Sequence, residues 1–182
     1  WAAETGLRHR RLPVSHAFHS PLMDPALDRF AGVVAGLDLQ PPQRGLVSAV
    51  TGAPVGAEIT DPAYWVRHAR DAVRFADAVT AAEAAGVTRW CEVGPRAGLT
   101  AAVRDCLTGD HPAVVVAAQR HDRPEPPTLL AAVGALHAHG ADLDPVALLD
   151  GRGGRRVPLP GYAFQRSRYW LPAPFGTAPA GV

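Results

Sequence analysis

The sequence predicts an α/β fold with a parallel sheet, because short apolar runs typical of buried strands alternate with amphipathic helical segments. The runs cover residues 46–50, 87–93 and 113–118, and helical periods of threes and fours lie before, between and after them. Strands that alternate with helices pair in parallel, since each helix returns the chain to the same end of the sheet. Apolar residues make up 47% of the chain and charged residues 19%, which suits a normal core and excludes a disordered chain.

The N-terminal part predicts a strand followed by a helix. Residues 1–7 are expected to complete an amphipathic helix, and residues 8–14 to form a basic strand. The next helix has Ser20 as its N-cap, where a hydroxyl can accept a free backbone N–H, and Pro21 in its first position. Its apolar residues recur at threes and fours and predict one buried face: Leu22, Leu27, Phe30, Val33, Val34 and Leu37.

Turn and cap signals divide the rest of the predicted core. Thr51-Gly52 predicts a turn after the first strand, and Asp61-Pro62 predicts the start of a helix. Further helices are expected from Asp71 through Val79, over residues 99–107 and over residues 128–139. These helices separate the predicted strands and supply the outer layers of the fold.

The composition changes from Asp150 onward, where glycines and prolines replace the helical period. A segment without periodicity cannot build a core of its own, so its aromatic rings need another surface to contact. We expect it to lie along a folded neighbour. The rings are those of Tyr162, Phe164, Tyr169 and Trp170.

Charge and composition exclude several classes of partner. Eighteen basic against 17 acidic residues leave a formal net charge of +1, so no strong field attracts nucleic acid or an anionic membrane. No apolar run reaches the roughly 20 residues of a membrane-spanning helix.

Two cysteines, Cys91 and Cys106, cannot form a disulfide framework, and the cytoplasm is the expected location. Cys91 lies in a strand pattern and is expected to be a small core residue.

Two histidines stand directly before the helix that Ser20 caps. Imidazoles this close together invite either metal binding or acid–base chemistry. On an extended segment a spacing of three sends His16 and His19 to opposite faces, which disfavours a shared metal. The residues alone leave open a catalytic histidine and an ordinary packed or solvated one.

Other polar groups have both a structural and a functional interpretation. The turn over Glu92–Gly98 enters a helix, so its backbone amides could bind an anion, although a strand-to-helix corner explains it as well. His137 and His139 do not share a helical face and are weak metal candidates. Three arginines suit coenzyme phosphates, an acidic carrier protein or a solvated strand edge: Arg8, Arg10 and Arg11.

Short sequence motifs, in a fixed order, are spread over nearly the whole chain. The most specific is residues 12–25, which contain His16-Ala17-Phe18-His19. Further strings follow at Tyr64-Trp65-Val66-Arg67-His68, Val73-Arg74-Phe75, Glu92-Val93-Gly94-Pro95, Tyr162-Ala163-Phe164-Gln165-Arg166 and Arg168-Tyr169-Trp170. Together they resemble the acyltransferase domain of modular type I polyketide synthases and, at the C-terminus, the linker that follows it.

The resemblance implies a fold with three parts. It places residues 1–14 at the end of a ferredoxin-like small subdomain. Residues 15–150 would form the C-terminal part of an α/β-hydrolase-like acyltransferase core, and residues 151–182 the post-acyltransferase linker. The implied partners are an acyl carrier protein, the N-terminal half of the acyltransferase domain, and the ketosynthase and linker domains of the same synthase.

The resemblance also implies a reaction. In this family a serine attacks the thioester of an acyl-CoA, and the resulting acyl-enzyme passes its acyl group to the phosphopantetheine thiol of a carrier protein. A serine hydroxyl is a poor nucleophile until an imidazole accepts its proton. The resemblance assigns this base to His19. A backbone carbonyl on the segment matching Trp65–His68 orients the base in the wider family, and we place that role at His68. No cofactor is expected to bind this chain.

The same string predicts the substrate. The resemblance implies that His16-Ala17-Phe18 before the catalytic histidine accompanies malonyl-CoA, whereas a Tyr-Ala-Ser version accompanies methylmalonyl-CoA. The ring of Phe18 could fill the space that an α-methyl group needs. Exclusion of one methyl group provides about 1–3 kcal/mol of discrimination, so malonyl is expected as a preference.

The chain departs from the family pattern at the nucleophile. None of its four serines stands in a Gly-x-Ser-x-Gly elbow: Ser15, Ser20, Ser48 and Ser167. By resemblance, the nucleophile, the oxyanion-hole donors and the arginine that pairs with the malonyl carboxylate belong to the first half of the domain. The isolated chain is therefore predicted to be inactive. The alternative is a non-catalytic scaffold whose linker docks onto neighbouring synthase domains.

Overall fold

The computed structural model describes residues 4–6, 14–110, 112–155, 157–167 and 169. Two short 3-10 helices, Pro21–Met23 and Ala57–Thr60, precede α1 and α2. The other elements are α1 (Asp24–Ala35), β1 (Leu46–Val47), β2 (Pro54–Val55), α2 (Pro62–Arg70), α3 (Phe75–Ala84), β3 (Arg89–Glu92), α4 (Thr100–Cys106), β4 (Val114–Ala117), α5 (Glu125–Ala138) and α6 (Pro145–Leu149).

The chain divides into two compact units, with the boundary between Leu143 and Asp144. Most of the segments predicted over residues 1–7 and 8–14 lie outside the described residues, which include there only a turn at residues 4–6 and the single residue Val14. Across the described ranges, no helix combines the length and the apolar character needed to cross a membrane.

The predicted caps start two helical segments. The Ser20 hydroxyl accepts the N–H of Leu22 at 3.2 Å, and the Asp61 carboxylate accepts the N–H of Ala63 at 2.9 Å. Each side chain satisfies a donor that has no partner within its own helix. Both predicted starts are thereby confirmed.

Two other helices begin elsewhere than predicted. Asp71 does not start a helix but follows α2 in an extended conformation, and α3 begins at Phe75. The backbone N–H of Arg74 donates to the Ala49 carbonyl at 2.7 Å, which holds this connection out of the helix. Helix α5 begins at Glu125 rather than at residue 128, because prolines are tolerated in a first turn, where N–H groups have no helical partner.

The parallel pairing is confirmed in the sheet formed by β3 and β4. Trp90 pairs with Val115, and Cys91 with Val116. The core beside this sheet joins α3, α4 and β4 through three buried valines: Val79, Val103 and Val115. Half-buried apolar side chains complete it: Phe75, Trp90, Cys106 and Leu107.

Cys91 is exposed, so the expectation of a core cysteine was wrong. Exposure alternates along β3, where Arg89 and Cys91 are exposed while Trp90 and Glu92 are half-buried. Successive side chains of a strand point to opposite faces, and Cys91 lies on the less covered one.

A second strand pair, β1 with β2, is antiparallel and was not predicted. The N–H of Ser48 donates to the Ala53 carbonyl, and the N–H of Gly52 to the Ser48 carbonyl, both at 2.8 Å. So short a turn can join only antiparallel strands, because a parallel pair needs a crossover of about a dozen residues. The strand predicted over 46–50 therefore shortens to Leu46–Val47, and the turn at Thr51-Gly52 is confirmed.

The second unit contains α6 and an irregular segment. The Asp144 carboxylate caps α6 by accepting the N–H groups of Val146 and Ala147. Residues 157–167 form neither helix nor strand. Tyr162 and Phe164 contact edge to face at 4.9 Å between ring centroids and remain 80% and 75% exposed. Trp170 lies outside the described residues.

Candidate active site

His19 stands between an extended segment and the 3-10 helix that leads into α1. Its φ of 57° makes it the one non-glycine residue with positive φ in the described part of the chain. A left-handed backbone is costly for a residue with a Cβ, although histidine adopts it more readily than most. Such conformations persist where the surroundings hold them, and they cluster at functional sites.

The His19 ring is oriented by a backbone carbonyl. Its Nδ1 lies 3.2 Å from the carbonyl oxygen of Asp71, on a different segment of the chain. Because a carbonyl oxygen only accepts hydrogen bonds, Nδ1 must carry the proton. In the neutral ring the lone pair is then on Nε2, which is the arrangement that a general base requires.

This geometry corrects the position predicted for the orienting carbonyl. The prediction placed it within Trp65–His68, but the contact comes from Asp71, beyond the end of α2. The carbonyls of residues 65–68 belong to the helix, where they point along the axis toward its C-terminus. Asp71 leaves the helix in an extended conformation, with φ −82° and ψ 158°, and its carbonyl can therefore turn toward His19.

His68 contacts His19 through its ring. The two centroids lie 6.2 Å apart with the planes at 63°, an edge-to-face arrangement. The rings of Tyr64 and Trp65 lie 6.1 Å and 6.0 Å from His68 on the same helix. His68 thus belongs to an aromatic wall beside His19, and the backbone carbonyl that His19 contacts is that of Asp71.

The aromatic wall is anchored in the interior. The hydroxyl of Tyr64 and that of Ser48 lie 2.7 Å apart, and both residues are buried. The indole N–H of Trp65 donates to the Ile59 carbonyl at 2.7 Å. These bonds fix α2 against the β1–β2 turn and the preceding 3-10 helix.

The predicted specificity residues lie at the surface, directly before His19 in the chain. His16, Ala17 and Phe18 are all exposed, and the rings of His16 and Phe18 approach edge to face at 6.0 Å. His16 and Phe18 line one side of a shallow groove of about 340 Å³. Its lining consists of His16, Phe18, Leu22, Met23, Pro25 and Ala26.

Three of the four serines have partners other than His19. Ser15 contacts His16 Nδ1 at 2.9 Å, Ser20 donates to the Ala17 carbonyl at 2.6 Å, and Ser48 contacts Tyr64. The Nε2 atom of the candidate base is therefore not paired with any of these three hydroxyls.

The amides considered as an anion site already bind an anion from the chain itself. The carboxylate of Glu92 accepts the N–H groups of Gly98, Leu99 and Thr100 at 2.9–3.0 Å. This carboxylate caps the start of α4 from the end of β3. The structural interpretation of the Glu92–Gly98 corner is therefore the one that the structure favours.

The other candidate polar groups take no part in this site. Within the described ranges no group of three or more His, Cys, Asp or Glu could hold a metal. His137 and His139 bind the backbone carbonyls of Ala141 and Ala135 through Nδ1. The three N-terminal arginines lie outside the described residues: Arg8, Arg10 and Arg11.

A larger groove of about 500 Å³ lies between α4, β4 and the start of α5. Arg104, Arg120 and Arg123 line it. Arg104 donates to the Val115 carbonyl at 2.7 Å, and Arg120 pairs with Asp122 at 3.4 Å. A hydrogen bond from the backbone N–H of Asp122 and its pairing with Arg120 hold the pKa of that carboxyl below its usual value. Two of these guanidinium groups thus have intramolecular partners.

The sequence comparisons point to one family. Residues 1–143 match the family described as the acyl transferase domain. The chain is 55% identical over 177 residues to the polyketide synthase GfsA of Streptomyces halstedii, and 49% identical over 166 residues to the mycoketide-CoA synthase of Mycobacterium tuberculosis. These matches cover 97% and 91% of this chain, but only 2% and 4% of those proteins.

Solved structures agree with the sequence comparisons. The acyltransferase domain from the second module of the salinomycin polyketide synthase superposes with a TM-score of 0.76 at 46% identity, covering 89% of this chain and 38% of that one. A malonyl-CoA:acyl carrier protein transacylase from Xanthomonas oryzae superposes with a TM-score of 0.61 at 25% identity, covering 73% and 40%. The chain thus spans less than half of each solved acyltransferase.

Proposed function

Because this chain belongs to the acyl transferase domain family and is part of the acyltransferase domain of a modular polyketide synthase, we propose that it supplies the general base for malonyl transfer. The proposed reaction moves malonyl from malonyl-CoA to the phosphopantetheine thiol of an acyl carrier protein. The hydrogen bond between His19 Nδ1 and the Asp71 carbonyl carries the proposal, since it leaves Nε2 free to accept a proton.

In the first half-reaction, His19 Nε2 removes the proton from a serine hydroxyl supplied by the other part of the domain. The serine oxygen attacks the thioester carbonyl of malonyl-CoA, and the carbon–sulfur bond breaks. The imidazolium returns its proton to the departing CoA thiolate. The products are CoA and a malonyl ester on the serine.

The second half-reaction repeats these steps with a different thiol. His19 accepts the proton of the phosphopantetheine thiol, and the resulting thiolate attacks the malonyl ester. The serine oxygen leaves and recovers its proton from the imidazolium. Malonyl is then attached to the carrier protein, and the enzyme is regenerated without a cofactor.

We propose that the parts of the chain correspond to the regions expected from the resemblance. Residues 1–14 would end a ferredoxin-like subdomain, residues 15–150 would belong to the α/β-hydrolase-like core, and residues 151–182 would form the linker. The nucleophile, the oxyanion-hole donors and the arginine for the malonyl carboxylate would come from the rest of the domain. By this proposal the isolated chain transfers no acyl group.

Phe18 is the proposed selector against an α-methyl group. Its ring is 51% exposed and lies one residue from the base, beside the groove that His16 also lines. In the assembled domain we expect this ring to occupy space that the methyl branch of methylmalonyl would need.

The test is acyl-ester formation on the intact domain. The mass of the intact protein is measured after brief exposure to malonyl-CoA or methylmalonyl-CoA. We expect malonyl loading to be about 10- to 100-fold faster, and Phe18→Ser to reduce this ratio below about threefold. Phe164→Ser, the same substitution at an exposed ring of the linker, should leave the ratio of malonyl to methylmalonyl loading unchanged. The isolated chain should gain no acyl mass. Absence of an adduct from either substrate would refute the proposed function, whereas an unchanged ratio in Phe18→Ser would refute only the selector.

A second function, docking of the linker onto a neighbouring synthase domain, is favoured by the exposed rings of the second unit. Tyr162, Phe164 and Tyr169 are 80%, 75% and 90% exposed. Aromatic residues on a protein surface are usually less exposed than this. Changing Tyr162 and Phe164 to Ser is expected to weaken binding of the intact acyltransferase to a separate ketosynthase domain by at least about tenfold. Leu149→Ser is the control, and equal affinities for both variants would rule the docking role out.

A further inference from the structure

The Ser20 hydroxyl does more than cap a helix. It accepts the N–H of Leu22 at 3.2 Å and donates to the carbonyl of Ala17 at 2.6 Å. One side chain therefore ties the last extended residues to the first helical ones. Capping requires only the first of these two bonds.

The bond to Ala17 closes a short loop around the candidate base. Phe18 and His19 are the two residues that this bridge spans, and His19 has the left-handed backbone with φ 57°. That conformation is unfavourable for a residue with a Cβ, so a bond across it helps to hold it. The net stabilisation from one hydrogen bond is comparable in size to that cost.

The partner of His19 is held from the opposite side. Asp24 at the start of α1 forms an ion pair with Arg70 at the end of α2, one residue before Asp71. The N–H of Asp71 also donates to the Arg67 carbonyl at 2.8 Å. The carbonyl that orients the imidazole is thereby tied to the helix that Ser20 precedes.

We propose that Ser20 is a positioning residue for the transfer reaction, acting through the backbone conformation of His19. This inference rests on the proposed function of His19 as the base. Without the hydroxyl, the Ala17 carbonyl loses its partner and the His19 backbone relaxes toward right-handed conformations. The imidazole then leaves the Asp71 carbonyl, and Nε2 no longer points along a fixed direction. Small displacements of a catalytic group lower rates strongly.

The test measures single-turnover acyl-ester formation on the intact domain, recording the rate and the amplitude separately. Ser20→Ala and Ser20→Gly are expected to lower the rate about 10- to 100-fold while the amplitude and the KM for malonyl-CoA stay near wild type. Glycine caps helices almost as well as serine but cannot bond to Ala17, so it separates the bridge from the cap. Ser20→Thr keeps the hydroxyl and should retain the rate within a few-fold.

Ser15→Ala is the matched control, because Ser15 contacts His16 in the same segment but makes no bond across His19. It should react at the wild-type rate. A wild-type rate in Ser20→Gly, or a reduced amplitude with an unchanged rate, overturns the positioning role. Normal loading by a His19→Asn variant would instead overturn the proposed function, so the two failures are distinguishable.

Discussion

Replacing His19 with asparagine is expected to lower the rate of acyl-ester formation on the intact domain by at least about 10³-fold. Asparagine tolerates a left-handed backbone, so the φ of 57° is retained, but its amide cannot accept the serine proton. The variant therefore removes the base without disturbing the loop. Rapid-quench mass spectrometry with malonyl-CoA measures the rate directly.

Two other histidines provide controls for this result. His68→Asn changes a ring that packs 6.2 Å from His19 but donates no hydrogen bond to it, and we expect less than a tenfold loss. His137→Asn, at an exposed position of α5, should have no effect. Should His68→Asn lose as much rate as His19→Asn, the direct role assigned to the Asp71 carbonyl would be wrong.

The second large effect is on stability and concerns Gly52. Its φ is +70°, it is buried, and a Cβ added there would overlap the Cβ of Asp77 at the start of α3. Gly52→Ala combines backbone strain with a steric clash in the β1–β2 turn. We expect the free energy of unfolding of the intact domain to fall by ~3 kcal/mol or more.

Gly86→Ala separates the two contributions. Gly86 has a similar φ of +85°, but an added Cβ would meet nothing within 4 Å. Its expected cost is that of the backbone alone, ~1 kcal/mol. Denaturant unfolding of both variants provides the comparison, and equal losses would mean that the Gly52 turn relaxes away from Asp77.

Local sequence signals predicted those features that depend on interactions between residues close together in the chain. Ser20 and Asp61 start helical segments as predicted, because a short polar side chain can reach the free N–H groups of its own first turn. The parallel pairing of β3 with β4 could also be predicted from the sequence. Parallel strands need a crossover connection, and the helical segment between β3 and β4 supplies one.

Other predictions failed because distant residues decide them. Asp71 carries a cap signature, yet the bond between Arg74 and Ala49 delays the next helix to Phe75. Cys91 has the pattern of a core residue, but its exposure depends on which face of β3 other layers cover. Neither the bond between Arg74 and Ala49 nor the exposure of Cys91 can be derived from neighbouring residue types.

The candidate site shows the same division in its chemistry. The residue types on which the proposed base and the proposed selector depend can be seen in the sequence, as can the absence of a Gly-x-Ser-x-Gly elbow, because they are matters of side-chain type. The group that orients His19 is a main-chain carbonyl, which every residue possesses and which therefore leaves no signature in a sequence. Its selection required α2 to end at Arg70 and the chain to turn toward a loop 52 residues away, an outcome set by packing between segments.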